Sequence, residues 1–297
     1  MIPESSNVED LVKGVLNALL QSGLSTLTVL GMVIVPIGIC CAALYFMGTW
    51  QNKRLLQTFG WRGLLVTGWI GTPVHELSHA LAAIIFCHKI DELVLFRPNK
   101  ITGQLGHVRH SFNKKNPYAT ILGGSVIPIA PFFGGAAVIF LLTLLLAPAL
   151  LPTRGIPDAS PLTAETLQDT SSYIPLAGRS VKHMLSLKEI VEVNELWRQL
   201  QFYLYLYLVF CVAMYLAPSG PDFKNFKRPA LVLLALLFLS DLILRLWGQS
   251  STLVVEYLWT PMLTVTSLLT FALGISCAGT LVVGALTFVG NVIWGRR

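Results

Sequence analysis

Between Leu64 and Cys87 the chain is apolar over a length that crosses a bilayer, and in the middle of that run stand His75, Glu76 and His79. A helix needs about 20 such residues to span the hydrocarbon core. Each unpaired ionisable group at its centre costs roughly 2.5–3.5 kcal/mol or more. A bound metal offsets that cost. On a helix His75 and His79 lie four residues apart and project from one face, one turn above the other, which is zinc-ligand spacing. Glu76 sits about 100° around the helix, beside such an ion rather than on it, where a general base would meet a water molecule.

The rest of the chain supports a bilayer as the solvent. Of its 297 residues 54% are hydrophobic and 12% charged, with a mean hydropathy of +0.66. That is more apolar surface than a soluble core buries. The expected fold is an all-α polytopic membrane protein of about six transmembrane helices, with a short membrane-associated β-hairpin between the second and third. The spans fall near Thr26–Trp50, Leu64–Cys87, Tyr118–Ala147, Phe202–Ala217 and Ala230–Leu246, with the long tract Leu253–Trp294 forming one helix or two about Pro261. The five cysteines lie in apolar segments and read as small buried hydrophobes. The net charge of +6 sits mostly in loops, which fits orientation and lipid contact and excludes a nucleic-acid partner. Glu4, Glu9 and Asp10 give the first residues the wrong sign for a secretory leader, so no cleaved signal peptide is expected.

Polarity nearly alternates over Glu92–Arg97 and Gln104–Ser111, the two runs being separated by Pro98-Asn99-Lys100 and Gly103, which predicts the hairpin. Thr153–Arg198 is the one sizeable polar region. Its first part, with Pro157, Pro161 and Pro175, reads as an irregular linker. The second part has capping-box spacing at Ser186–Glu189 and helical periodicity, predicting an amphipathic surface helix over Ser186–Gln199. Three units follow: 1–60 with the first span, a core over 61–228 that includes the polar loop 150–200, and the C-terminal spans over 229–297. Placing the basic loops after the second and fourth spans, together with Arg296-Arg297, in the cytosol is self-consistent for six spans, at the cost of leaving Lys53, Arg54 and Arg62 outside.

A catalytic zinc needs three protein ligands and one open position, so a third donor must come from elsewhere. Asp241 has Arg245 one turn on and reads as half of an intrahelical ion pair. Glu256 reads as a residue at headgroup level. Asp222 follows Leu216-Ala217-Pro218-Ser219-Gly220-Pro221, a run that cannot stay helical, and broken backbone beside a span is tolerated where it lines a cavity. Gly123, Gly124, Gly134 and Gly135 read as points of close helix approach. Phe202, Tyr203, Tyr205 and Tyr207 read as an interfacial belt, and His88, His107, His110 and His183 as solvated.

In these motifs the chain resembles the site-2 protease family of intramembrane zinc metalloproteases, as a divergent member. The resemblance covers about residues 60 to 226: the His75–His79 motif, the hairpin Glu92–Ser111, the span holding Gly123-Gly124-Ser125, Pro128 and Pro131, and Pro218–Asp222. Met214 and Phe223 stand where the family's aspartate motif has asparagine and glycine, and the third span lacks the Gly-Pro-x-x-Asn signature. The resemblance implies a zinc metalloendopeptidase that cuts in or next to transmembrane segments of membrane-protein substrates, the step known as regulated intramembrane proteolysis. It implies Zn2+ held by His75, His79 and Asp222, with Glu76 as general base. A helical substrate must unwind first, and a hairpin edge could hold the unwound strand. Ser125, Leu105 and His107 are the candidate substrate contacts. Two other classes stay open: a membrane zinc peptidase whose third ligand is a glutamate such as Glu256, and a transporter or scaffold whose His75–His79 cluster is a non-catalytic metal or packing site.

Overall fold

The computed structural model describes residues 5–31, 35–101, 103–148, 196–217, 227–247 and 252–293. The chain is mostly helical: α1 (Ser5–Val29), α2 (Val35–Phe59), α3 (Trp61–Ile85), α4 (Tyr118–Leu146), α5 (Leu196–Leu216), α6 (Lys227–Leu246) and α7 (Thr252–Ile293). A two-stranded sheet, β1 (Lys89–Val94) and β2 (His107–Ser111), lies between α3 and α4.

Three stretches are long and apolar enough to cross a membrane among the described residues: Tyr118–Leu146, Leu196–Leu216 and Leu268–Ile293. This is a membrane protein, with three such helices rather than the six expected. α2 and α3 have the length, at 25 residues each, but the run Gln51-Asn52-Lys53-Arg54 dilutes one, and His75, Glu76 and His79 dilute the other. The apolar tract Thr26–Trp50 is not a single element either. Helix α1 ends at Val29 and α2 begins at Val35, with Pro36 at a first turn where a helix accepts it. The last tract is one helix of 42 residues that continues through Pro261. At 1.5 Å per residue it is roughly twice the thickness of a hydrocarbon core.

Helix α5 is the hub, packing against α2, α3, α4 and α7. Its Tyr205, Val209, Val212, Ala213 and Leu216 are wholly buried, with Leu44 of α2, Ile139 of α4 and Leu269 of α7 around them. In lipid the drive to pack is contact rather than dehydration, so close approach depends on small residues. A β-carbon on Gly71 would lie 2.4 Å from the Cys211 carbonyl oxygen, one on Gly48 2.5 Å from that of Met214, and one on Gly134 2.0 Å from Ser78 Oγ. Gly123 and Gly135 are similarly closed in, by His88 and Leu216, whereas Gly124 faces open space. The aromatic run on α5 divides: Phe202 and Tyr205 belong to the core, and Tyr203 is exposed. A period of 3.6 turns alternate aromatics inward, so a belt does not form.

Gly60, at φ 63°, joins α2 to α3, a left-handed conformation that suits glycine. At its far end α3 closes with the His88 amide donating to the Ala83 carbonyl across a left-handed Cys87, φ 59°, the Schellman arrangement. Cys87 is consequently exposed, as is Cys277, contrary to the expectation that all five cysteines are buried. The sheet is antiparallel, pairing Ile90 with His110 and Val94 with His107, and Asp91 forms a bulge between Ile90 and Glu92. Sequence alternation placed the first strand three residues too late, because that bulge breaks the period of two.

Candidate metal centre

His75 and His79 stand one turn apart on α3, and each ring is held by a main-chain carbonyl from a different helix. His75 Nδ1 lies 2.7 Å from the carbonyl oxygen of Tyr215, and His79 Nδ1 lies 2.9 Å from that of Ile127. A carbonyl only accepts, so each Nδ1 carries the hydrogen and each Nε2 carries a lone pair. The two Nε2 atoms face one another at 3.2 Å, with the ring planes 78° apart.

Both carbonyls are available for a reason written in the sequence. The Ile127 carbonyl accepts the 3₁₀ bond from the Ala130 N–H, and Pro131, four residues after Ile127, brings no N–H to close an α-helical bond onto it, so its second lone pair is left for His79. Here α4 is irregular, a π-helical turn over Tyr118–Gly123 followed by a 3₁₀ turn over Ile127–Ile129. Tyr215 belongs to the last turn of α5, whose carbonyls lack intrahelical donors, and the helix stops at Leu216, two residues short of Pro218. Second-sphere carbonyls of this kind fix the tautomer and orientation of metal-binding imidazoles.

Two lone pairs pointed at each other across 3.2 Å repel unless a shared proton or a metal ion lies between them. Tetrahedral zinc with bonds of about 2.0–2.1 Å separates its ligand nitrogens by about 3.3–3.4 Å. The pair fits that ion. Among the described residues no group of three or more His, Cys, Asp or Glu gathers around one point. Asp222, the expected third ligand, lies outside the described residues, as do the side chain of Glu256, His183 and most of the expected helix Ser186–Gln199. Only its end, from Leu196, is described, and it forms the start of α5.

A cavity of about 470 Å³ opens beside the pair. His75, Glu76 and Thr72 of α3 face it, as do Asn52 and Lys53 of α2, Leu105 of the hairpin connection, and Tyr215. Two glycines let the hairpin connection lie down on α3. A β-carbon on Gly68 would meet Leu105 Cδ1 at 2.7 Å, and one on Gly106 would meet the Val94 and Leu95 carbonyls and Thr72 Cγ2 within 2.9 Å.

Leu105 thus stands at the cavity with His75 and Glu76, whereas the other two candidate substrate contacts do not. Ser125 is buried and its hydroxyl donates to the Ile121 carbonyl within its own helix. His107 is half-buried and 3.3 Å from Glu92, which also binds Arg109 at 3.2 Å. Cross-strand pairing is the reason: register sets His107 over Val94 and its ring beside the Glu92 carboxylate. The Asp241–Arg245 ion pair is present at 2.8 Å, and Arg245 also donates to Ser25 of α1.

Two residues taken as solvated are joined instead. His88 is buried, its Nε2 donating to the Ala119 carbonyl at 3.0 Å and its Nδ1 lying 2.9 Å from His110 Nδ1. Phe112 stacks on it at 4.4 Å. Burial, and then the neighbouring His88 and His79, hold the His110 imidazole below its ordinary value, against a smaller opposing pull from Asp91. This knot ties the end of α3 to β2 and to the π-helical turn of α4. Its signal in the sequence was weak, since a histidine just past an apolar run looks like a loop residue until the helix cap turns it inward. No family model, curated protein or solved structure matches the chain.

Proposed function

We propose that this chain is an intramembrane zinc metalloendopeptidase, related to the site-2 proteases, that hydrolyses peptide bonds in or next to transmembrane segments of membrane-protein substrates. One observation carries the reading: two imidazole Nε2 atoms converge to 3.2 Å while both Nδ1 atoms are anchored by carbonyls. With both Nδ1 hydrogens held by carbonyls, a single ion between the two Nε2 atoms is within reach of both rings. Asp222 is the proposed third ligand. It lies seven residues beyond Tyr215, whose carbonyl already touches His75. A six-pass arrangement, with the site toward the cytosolic face of a cell membrane, completes the proposal and follows the distribution of Lys and Arg.

Zinc, when bound, supplies Lewis acidity and lowers the pKa of water to about 7. The chain's own residues do the rest. Glu76 sits on the cavity wall next to His75, where it accepts the proton of the attacking water and delivers it to the departing amine. The Tyr215 and Ile127 carbonyls keep the imidazoles in the tautomer that presents Nε2. Leu105 and the apolar wall opposite exclude bulk water from the scissile bond.

Metal analysis of purified wild type beside His75→Ala and Asp222→Ala tests the centre, and Glu76→Gln tests the chemistry on a single-span substrate. Stoichiometric zinc in the wild type, its loss in both ligand variants, and loss of cleavage with zinc retained in Glu76→Gln are expected. A wild type without zinc, or a Glu76→Gln variant that cleaves normally, would return the chain to the transporter or scaffold reading.

A further inference from the structure

We propose that Thr72 and Asn52 are the polar anchors that receive the backbone of an unwound substrate segment in the cavity; the inference rests on the hydrolytic reading above. Thr72 is 5% exposed, lines the cavity, and its hydroxyl oxygen has no hydrogen-bond partner among the described residues. Among the described residues Ser22 of α1 is the one other buried hydroxyl in that state, and it does not line the cavity. Ser78, Ser125, Thr143, Thr270 and Thr280 each donate to the carbonyl one turn back in their own helix. Such back-bonding is the default for a hydroxyl on a helix in lipid. Thr72 forgoes it one turn ahead of Glu76.

Asn52 faces the same cavity from α2. Its Oδ1 accepts the Tyr215 hydroxyl at 3.2 Å, which leaves the Nδ2 hydrogens for another acceptor. Thr72 therefore holds an unpartnered hydroxyl just beneath the α3 wall, reached by a small shift of that side chain, and Asn52 offers a donor on the α2 wall. The remaining wall includes Leu56, Leu64, Leu105 and Met214, and the charged groups that line it among the described residues are Glu76 and Lys53.

What suits such a cavity is a group with backbone chemistry. A helix opened for cleavage exposes N–H and C=O groups that have lost their helical partners, and each must find a new one or the opening is costly. A carbonyl on Asn52 Nδ2 and either backbone group on the Thr72 hydroxyl meet that need. The substrate class selected is an extended peptide backbone with apolar side chains.

The test uses full-length, zinc-loaded protein in nanodiscs with Thr72→Val, Thr72→Ser and Asn52→Asp. Valine keeps the shape of threonine, serine keeps the hydroxyl, and aspartate keeps the acceptor for Tyr215 while losing the donor. Thr72→Val and Asn52→Asp should each lower kcat/KM about tenfold on a single-span peptide. In a Glu76→Gln background the same changes should weaken binding of that peptide to a similar degree. Thr72→Ser should retain activity. Zinc content should stay stoichiometric, and the Thr72→Val melting temperature should be unchanged or higher, because an orphaned hydroxyl has been replaced by a methyl. Undiminished cleavage and binding in both variants of a working enzyme would overturn the anchor alone, and so would loss of activity that merely tracked lost zinc or lost stability. A zinc-loaded wild type that cleaves nothing would overturn the hydrolytic reading, and this inference with it.

Discussion

Replacing Gly71 by alanine should disable the proposed metal centre without touching a proposed ligand. The added β-carbon would lie 2.3 Å from Tyr215 Cδ2 and 2.4 Å from the Cys211 carbonyl oxygen. Ordinary contacts there are about 3.5 Å or a little less, so α3 and α5 must separate by about 1 Å. The Cys211 carbonyl is backbone, and no rotamer relieves it. Moving α5 by that amount stretches the contact from His75 Nδ1 to the Tyr215 carbonyl from 2.7 Å to about 3.7 Å, beyond hydrogen-bond length. Overpacking of this kind costs about 1–3 kcal/mol. Loss of a second-sphere partner lowers metal affinity about 10–100-fold. Competition with a graded chelator measures the affinity, and thermal unfolding in detergent measures the stability. Gly68→Ala is the matched control on the same helix, because its nearest clash, at 2.7 Å, is with the terminal methyl of Leu105, which can rotate away. If Gly71→Ala binds zinc as tightly as wild type, the claim that the α5 carbonyl orients His75 is wrong.

Three further outcomes follow from the same geometry. The His110 imidazole is held below its ordinary value of 6.5, so the unfolded chain takes up its proton first. The stability this group confers is intact above about pH 6.5 and is lost as pH falls from there toward the lowered folded value, and melting curves at pH 7.5 and 5.5 should differ less in His110→Phe than in wild type. Cys87→Gly should raise stability by about 1 kcal/mol, since a left-handed residue costs a side chain roughly that much; an unchanged or lower melting temperature would count against it. Asp241→Ala should destabilise the α1–α6 contact by about 3 kcal/mol by leaving Arg245 without its buried carboxylate, and the double variant with Arg245→Leu should recover much of the loss.

The sequence made the helical bundle and the position of His75, Glu76 and His79 legible, because a 3.6-residue period and an apolar run of bilayer length are strong local signals. It placed α3 through α6 to within a few residues, apart from the start of α5, which begins at Leu196, six residues before the expected start of that span at Phe202. It misjudged what depends on contacts between elements. The inward turn of His88 depends on a cap at Cys87 that no glycine announces. Ser125 looked exposed to substrate because its neighbours are glycines, yet its hydroxyl is spent on its own helix. Thr72, Asn52 and Tyr215 carry no motif, and only the meeting of α2, α3 and α5 brings them to one cavity. The role of Pro131 was readable in principle: a proline four residues after Ile127 withholds that carbonyl's usual donor, and a histidine needs such an oxygen.

That both imidazoles are steered by main-chain oxygens has an awkward corollary for mutagenesis. Truncating the side chain of Ile127 or Tyr215 leaves its peptide carbonyl in place, so an alanine scan of those positions would pass over the orienting atoms and report them as dispensable. The genetic weak points lie instead at the prolines that interrupt each helix. Pro131→Ala, which restores an amide able to claim the Ile127 oxygen, should do more harm to His79 than any change at Ile127 itself.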